Sequence, residues 1–308
     1  MKLGFLTLPA DERRLYIEQA AVRRNVSTVV LEKDFWVCWL LGILFESEFA
    51  SHLVFKPEAG PSRNQTNKWM TKAEAACRAA VRDRIGPAME ATVAGVLGTP
   101  ERAWFEFHTD SQTNSPVLLF HYPSAQPAGF EYLARAVKLE FGSLTDQRPA
   151  GRHPVRPWLA DTLPAAFPDW RCEVVALGVE RTFWEKATIL HTEYHRPAGK
   201  PTPDRFSRHY ADTAALAKHP TASKAIGLHE LRSRVVQWKG QFFGSSWANY
   251  DQAKPGMFRL VPPPERLPAL RRDYQAMRDM YLSEPSGFDD ILATLADLET
   301  RMNQTVGG

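Results

Sequence analysis

Cysteine is scarce in this chain. Cys38, Cys77 and Cys172 are scattered through 308 positions, and no two form a C-x-x-C pair. That usage argues against a disulfide framework and against a cysteine zinc site, and it fits a reducing cytoplasm. Long apolar runs are missing as well. The most apolar run, Phe35 to Phe45, falls far short of the roughly 20 residues a membrane span needs. The opening M-K-L-G-F-L-T-L-P-A-D-E-R-R turns charged too soon for a signal peptide. No G-x-x-x-x-G-K-S/T, G-x-G-x-x-G or G-x-S-x-G occurs, so a phosphate loop, a dinucleotide fold and a hydrolase elbow have no support. A strong charge of one sign is also lacking. A net charge of +3 permits a nucleic-acid partner without demanding one.

What is present is the composition of a soluble globular protein, 44% hydrophobic and 24% charged, long enough for one large domain or two average ones. A helix is expected from Pro9 to about Arg23, with acidic residues in its first turn. V-L-E-K-D-F-W-V-C-W-L-L-G-I-L-F reads as a buried helix led by a charged head, Glu32-Lys33-Asp34. Leu53 to Phe55 reads as a short strand. Pro57 to Asn67 is loop chemistry, and an Ala-rich helix follows from Lys68 to about Gly98, interrupted near Gly86-Pro87. Strands are expected at 103–110, 117–122 and 137–141, and another in R-C-E-V-V-A-L. Arg148 to Trp170 reads as irregular. From Val179 onward the pattern is helical: 179–190, 205–217, 218–238, and Pro264 to the end. Strands early and helices late give an α+β reading, with a boundary near Leu177.

Several residues carry chemistry by their type and spacing. Lys138 and Glu140 share one face of a strand, which places a carboxylate and a cation in one space. In V-E-R-T-F-W-E-K-A-T-I-L, Phe183, Ala187 and Leu190 form an apolar stripe, and Lys186 stands beside it with Trp184 as a flat neighbour. Arg208 and Asp212 sit one turn apart in the next helical stretch. His191 and His195 have a spacing that can hold zinc, but the metalloprotease form needs Glu directly after the first His, and Thr192 is there. These histidines read as surface residues. Arg63, Lys68, Lys72, Arg78, Arg82 and Arg84 make the most basic region, read either as a solvated helix face or as a patch for a phosphate backbone.

Taken in order, E-K-D-F-W-V-C-W-L-L, L-V-F-K, V-K-L-E-F-G, V-E-R-T-F-W-E-K-A and R-H-Y-A-D-T-A-A-L resemble successive landmarks of the AbiEii-type nucleotidyltransferase toxin family. The tail D-Y-Q-A-M-R-D-M-Y with F-D-D-I-L is similar to that family's last helices. The resemblance implies a polymerase-beta-like nucleotidyltransferase core over 1–177 and a helical domain over 178–308. It implies magnesium-dependent nucleotide transfer to RNA such as tRNA, a nucleoside triphosphate substrate, and a cognate antitoxin in an abortive-infection, phage-defence setting. It also implies site residues: Glu140 as metal ligand, Lys56, Lys138, Lys186 and Arg208 toward the nucleotide, and Glu140, Lys186 and Asp212 in catalysis.

The chain departs from that pattern in one place. The family's Gly-Gly-Thr-x-Leu-Ser turn after F-K is absent, and no Asp-x-Asp occurs anywhere. The chain runs from Lys56 into P-E-A-G-P-S-R-N-Q-T-N, and Pro57 has no N–H to offer a phosphate. The simplest reading is an internal deletion that truncates the core. Glu58 on a loop, and Glu106 with Asp110 at a spacing of four, are poor substitutes for paired carboxylates. The expected outcome is impaired catalysis, with RNA or antitoxin binding as the alternative, and an exposed strand edge near Leu53 to Lys56.

Overall fold

The computed structural model describes residues 4–51, 53, 66–111, 113–126, 135–143, 146, 148–168, 170–278, 281 and 284–304. The chain divides into two compact units, one of Met1–Gln147 with Gly151–Ala176 and one of Arg148–Ala150 with Leu177–Gly308. Helices and small antiparallel sheets together make the architecture α+β.

The first unit begins with helices α1 (Gly4–Thr7), α2 (Ala10–Arg24) and α3 (Thr28–Glu46). Helix α3 is apolar almost all round, so it lies at the centre of the core rather than on its surface. Trp36 stacks on Tyr122 at 5.7 Å and meets Trp39 and Phe120 edge-on at 5.4 and 5.8 Å. The expected charged head is not a helix start, because α3 begins a turn earlier, at Thr28. Glu32 is buried and accepts hydrogen bonds from the Ser124 hydroxyl and the Ala125 N–H, both at 2.6 Å. Asp34 accepts from the Trp158 N–H at 2.8 Å, and burial holds its carboxyl above the ordinary value. Both carboxylates fasten distant segments to the helix.

Helix α4 (Thr66–Ala80) runs through a π-helical turn, Val81–Ile85, into α5 (Gly86–Leu97). The expected break at Gly86-Pro87 is absent. Pro87 sits in the first turn of α5, where a missing N–H costs little, and the irregularity is the wide turn before it. Gly86 is packed so closely that a Cβ there would lie 3.2 Å from the Leu118 side chain.

Strands β1 (Phe105–Thr109), β2 (Pro116–Phe120) and β3 (Val137–Glu140) form an antiparallel sheet in that order. The register pairs Phe107 with Leu118 and Leu118 with Leu139, so Phe105, Phe107, Leu118, Phe120, Val137 and Leu139 turn to the core. Glu106, His108, Lys138 and Glu140 take the other face, as the alternation predicts. Leu53 lies at a bend and packs on the core, whereas the rest of the expected 53–56 strand and edge lies outside the described residues.

The stretch 148–170 is not irregular. It holds β4 (Ala150–Pro154), which pairs with β5 (Glu173–Leu177), and a short helix, α6 (Trp158–Thr162). Strand β4 is A-G-R-H-P and mostly exposed, so it carries none of the apolar alternation by which a strand is read.

The second unit is helical: α7 (Val179–Tyr194), α8 (Ser207–Lys218), α9 (Thr221–Gly227), α10 (His229–Phe242), α11 (Leu267–Ala276) and α12 (Phe288–Gln304). The expected helix at 218–238 is two helices that meet at Leu228. The expected C-terminal helix is interrupted between α11 and α12. The core joins Phe183, Trp184, Ala187 and Leu190 of α7 to Tyr210 and Ala214 of α8 and Leu295 and Leu298 of α12. Among the described residues, no helix is long and apolar enough to cross a membrane.

Candidate functional site

Helix α7 buries the predicted stripe, and Trp184 belongs to that core rather than standing beside the lysine. It is 2% exposed, and its indole N–H donates to the Ala225 carbonyl at 2.9 Å. Arg181, 1% exposed, grips Glu185 one turn later through Nε and Nη2 at 3.1 and 2.9 Å and also donates to the Arg148 carbonyl. Glu185 in turn meets Lys239 of α10 at 3.2 Å.

The next residue, Lys186, points to α8. Its Nζ donates to Asp212 Oδ2 at 2.6 Å and lies 3.2 Å from His209 Nδ1. His209 and Asp212 are three residues apart, so they stand on one face of α8. Burial holds the His209 imidazole down at about 4, and the nearby cations Lys186, Arg208 and Lys239 push the same way. Arg208 is exposed. The start of α8 is tied down by Asp273 of α11, which accepts from the Arg205 and Ser207 N–H groups at 2.7 and 2.8 Å and from the Ser207 hydroxyl at 2.5 Å. A carboxylate at this end meets unsatisfied N–H groups and the positive end of the helix dipole.

In the first unit, Lys138 donates to Glu140 Oε2 and to Asp110 Oδ2, each at 2.9 Å. Burial alone would lower the lysine's pKa. The two carboxylates more than offset that, leaving it above its ordinary value. Thr113 completes the group, its hydroxyl donating to Glu140 and its N–H to Asp110, both at 3.0 Å. Beside β3 lies a cavity of about 1070 Å³, lined mainly by apolar residues of α3 and α4, with Arg84, Lys138 and Glu140 as its charged groups.

This donor set does not fit a pair of magnesium ions. Such ions need several convergent oxygens, whereas Asp110 and Glu140 already close on the Lys138 ammonium. Among the described residues, no three His, Cys, Asp or Glu side chains come together as a metal site.

The predicted site residues therefore fall into two groups. Lys138 and Glu140 come together in the first unit, joined by Asp110. Lys186 and Asp212 come together in the second, joined by His209. Lys56 and Glu58 lie outside the described residues. Of the predicted basic region, Arg63 lies outside the described residues, Arg82 is paired with Asp83, and Arg78 and Arg84 keep their charge while meeting the Asn114 amide at 2.9 Å and the Phe49 ring. Lys68 and Lys72 remain exposed.

His191 is not a surface histidine, whereas His195 is half-buried. His191 is fully buried, its Nδ1 accepting from the Arg259 N–H and its Nε2 donating to the Asn249 carbonyl. Both ring nitrogens are in use, so this residue has no lone pair for zinc. Burial holds its pKa down at about 4.

Sequence reasoning missed His209, Lys239 and Asp273. The spacing of His209 from Asp212 was a usable signal. Nothing in the sequence brings Lys239 to Glu185, because that meeting depends on how α10 packs against α7.

A family model described as nucleotidyl transferase AbiEii toxin, type IV TA system, matches residues 64–294. No curated protein and no solved structure matches the chain.

Proposed function

The chain belongs to the AbiEii nucleotidyl transferase toxin family of type IV toxin–antitoxin systems, and from that premise we propose a nucleotidyltransferase-fold protein that retains a nucleoside-triphosphate site but transfers nucleotides poorly. In this reading residues 1–177 are the nucleotidyltransferase core and 178–308 the helical domain. The acceptor is RNA such as tRNA, and the setting is a cytoplasmic phage-defence system with a cognate antitoxin.

The observation that supports the reading best is the Lys186–Asp212 pair, 2.6 Å apart at two positions where the family resemblance implies site residues. Lysine and arginine offset triphosphate charge as positioned cations. Lys186 and Arg208 take that role here, with Asp212 holding Lys186. Separately, in the first unit, the family resemblance implies nucleotide-facing roles for Lys56 and Lys138, with Glu140 as the remaining family carboxylate. Impairment follows from the chemistry of the metal: a two-metal transfer needs several free carboxylates, and both carboxylates beside Lys138 are engaged by its ammonium.

The test is incubation of the purified protein with magnesium, labelled nucleoside triphosphates and tRNA. Weak or absent label transfer together with measurable triphosphate binding is the expected result. Robust transfer that disappears in Glu140→Ala would overturn the impairment. A binding role for RNA or the antitoxin is the second reading, favoured by the exposed Lys68 and Lys72 on α4. It requires affinity that falls with salt and weakens in Lys72→Ala.

A further inference from the structure

Lys186 has two partners on α8, and only one of them is charged. An ammonium has three donors and no acceptor, so the His209 Nδ1 facing it 3.2 Å away must be the unprotonated, accepting nitrogen, with the ring hydrogen on Nε2. We propose that His209 is a positioning residue for Lys186: its Nδ1 and the Asp212 carboxylate together fix the ammonium at one point on the face between α7 and α8.

Asp212 alone is a weak anchor. It is 46% exposed, and a lysine on a flexible four-carbon stem gives up little to a half-solvated carboxylate. A second acceptor one helical turn away restricts the stem. The kind of acceptor matters too. One carboxylate already balances the ammonium and a second would leave the group net negative, whereas a neutral imidazole orients the ammonium without adding charge. The surroundings keep the ring in that accepting state. Burial first, and then Lys186 from α7, Arg208 on its own helix and Lys239 from α10, disfavour a proton on it, while Asp212 favours one. The Phe206 ring, edge-on at 4.8 Å, holds the imidazole plane. The functional meaning of this arrangement rests on the proposed triphosphate-facing role of Lys186, but the hydrogen bond itself can be tested without it.

The experiment uses the full chain labelled with ¹⁵N-lysine, with the Lys186 Nζ signal identified by its loss in Lys186→Arg. In the wild type, hydrogen exchange of this ammonium should be slow compared with exposed lysines such as Lys72. His209→Ala should speed it by about tenfold, the ratio expected for one lost hydrogen bond to a charged group. His209→Asn, whose amide oxygen can take the place of Nδ1, should keep it slow. An unchanged rate in folded His209→Ala, or a fast one in folded His209→Asn, overturns the proposal. If His209→Ala does not fold, the asparagine variant decides alone. A parallel titration with ATP separates the two ideas. Equal ATP binding by wild type and Lys186→Ala, or none by either, removes the nucleotide reading and leaves the exchange result to judge His209.

Discussion

Lys186 and Asp212 are 26 positions apart in the chain and joined by a hydrogen bond of 2.6 Å. Lys186 stands midway along α7 and Asp212 faces it from α8, so the pair depends on the packing of the two helices' apolar stripes. The charge pair is half-exposed and adds little to that packing.

Lys186→Ala should therefore separate binding from stability. Its unfolding free energy should stay within about 1 kcal/mol of wild type. Its affinity for a nucleoside triphosphate should fall at least roughly tenfold, the loss of about one charge-assisted contact. Calorimetric titration and urea unfolding on the same sample measure both. A variant that binds as tightly as wild type, or that loses several kcal/mol of stability, would contradict the assignment.

Asp273→Ala removes the carboxylate that holds two N–H groups and a hydroxyl at the start of α8. A cost of about 1–2 kcal/mol is expected from lost capping. Amide exchange should quicken at Ser207 and leave α12 unaffected. Uniform loss of protection across the second unit would point to a wider role in folding.

Glu32 is 3% exposed and accepts two hydrogen bonds from the 124–125 segment. Glu32→Ala leaves both donors without a partner and opens a void in α3's contact with that segment. Destabilisation of about 2–4 kcal/mol is expected in urea. Glu32→Gln keeps one acceptor oxygen and should cost less. Equal costs would show that charge, not hydrogen bonding, is what matters there.

Acid should weaken the second unit. The His191 imidazole is held at about 4 in the folded chain, first by burial, against about 6.5 when unfolded. Between those values the unfolded chain binds a proton that the folded one excludes, so stability falls as pH drops from about 6.5 to about 4 and levels off below. His209, also held at about 4, acts in the same direction. Glu193 opposes them, because burial raises its carboxyl and favours the folded state as pH falls. Comparison with His191→Gln isolates one contribution, on the order of 3 kcal/mol across the window. Identical pH slopes in the two proteins would contradict it.

The sequence disclosed what depends on neighbours in the chain. The α7 stripe and the alternation of β3 are local periodicities, and both match the structure. What it hid depends on distant partners. Glu32 and Asp34 read as the charged head of a helix because Ser124 and Trp158, 92 and 124 positions away, are what turn them into fasteners. Strand β4 was invisible because an exposed polar strand has no apolar rhythm. His191 looked like a surface residue because its two partners are backbone groups of Asn249 and Arg259, and backbone groups leave no mark in a sequence. In the sequence Asp110 pairs by spacing only with Glu106. Its real partner is Lys138, brought to it through β2.

The wide turn between α4 and α5 bears on how this chain can change length. A π-helical turn is an α-helix carrying one residue more than it needs. Deleting one of the exposed residues Arg82, Asp83 or Arg84 would return Val81–Ile85 to regular α-helix and leave the buried faces on either side where they are. A deletion within the regular α4 stretch would turn everything after it by about 100° and carry Met89 and Val93 out of the core. Descendants of this chain can shorten this rod by one residue at that turn without repacking.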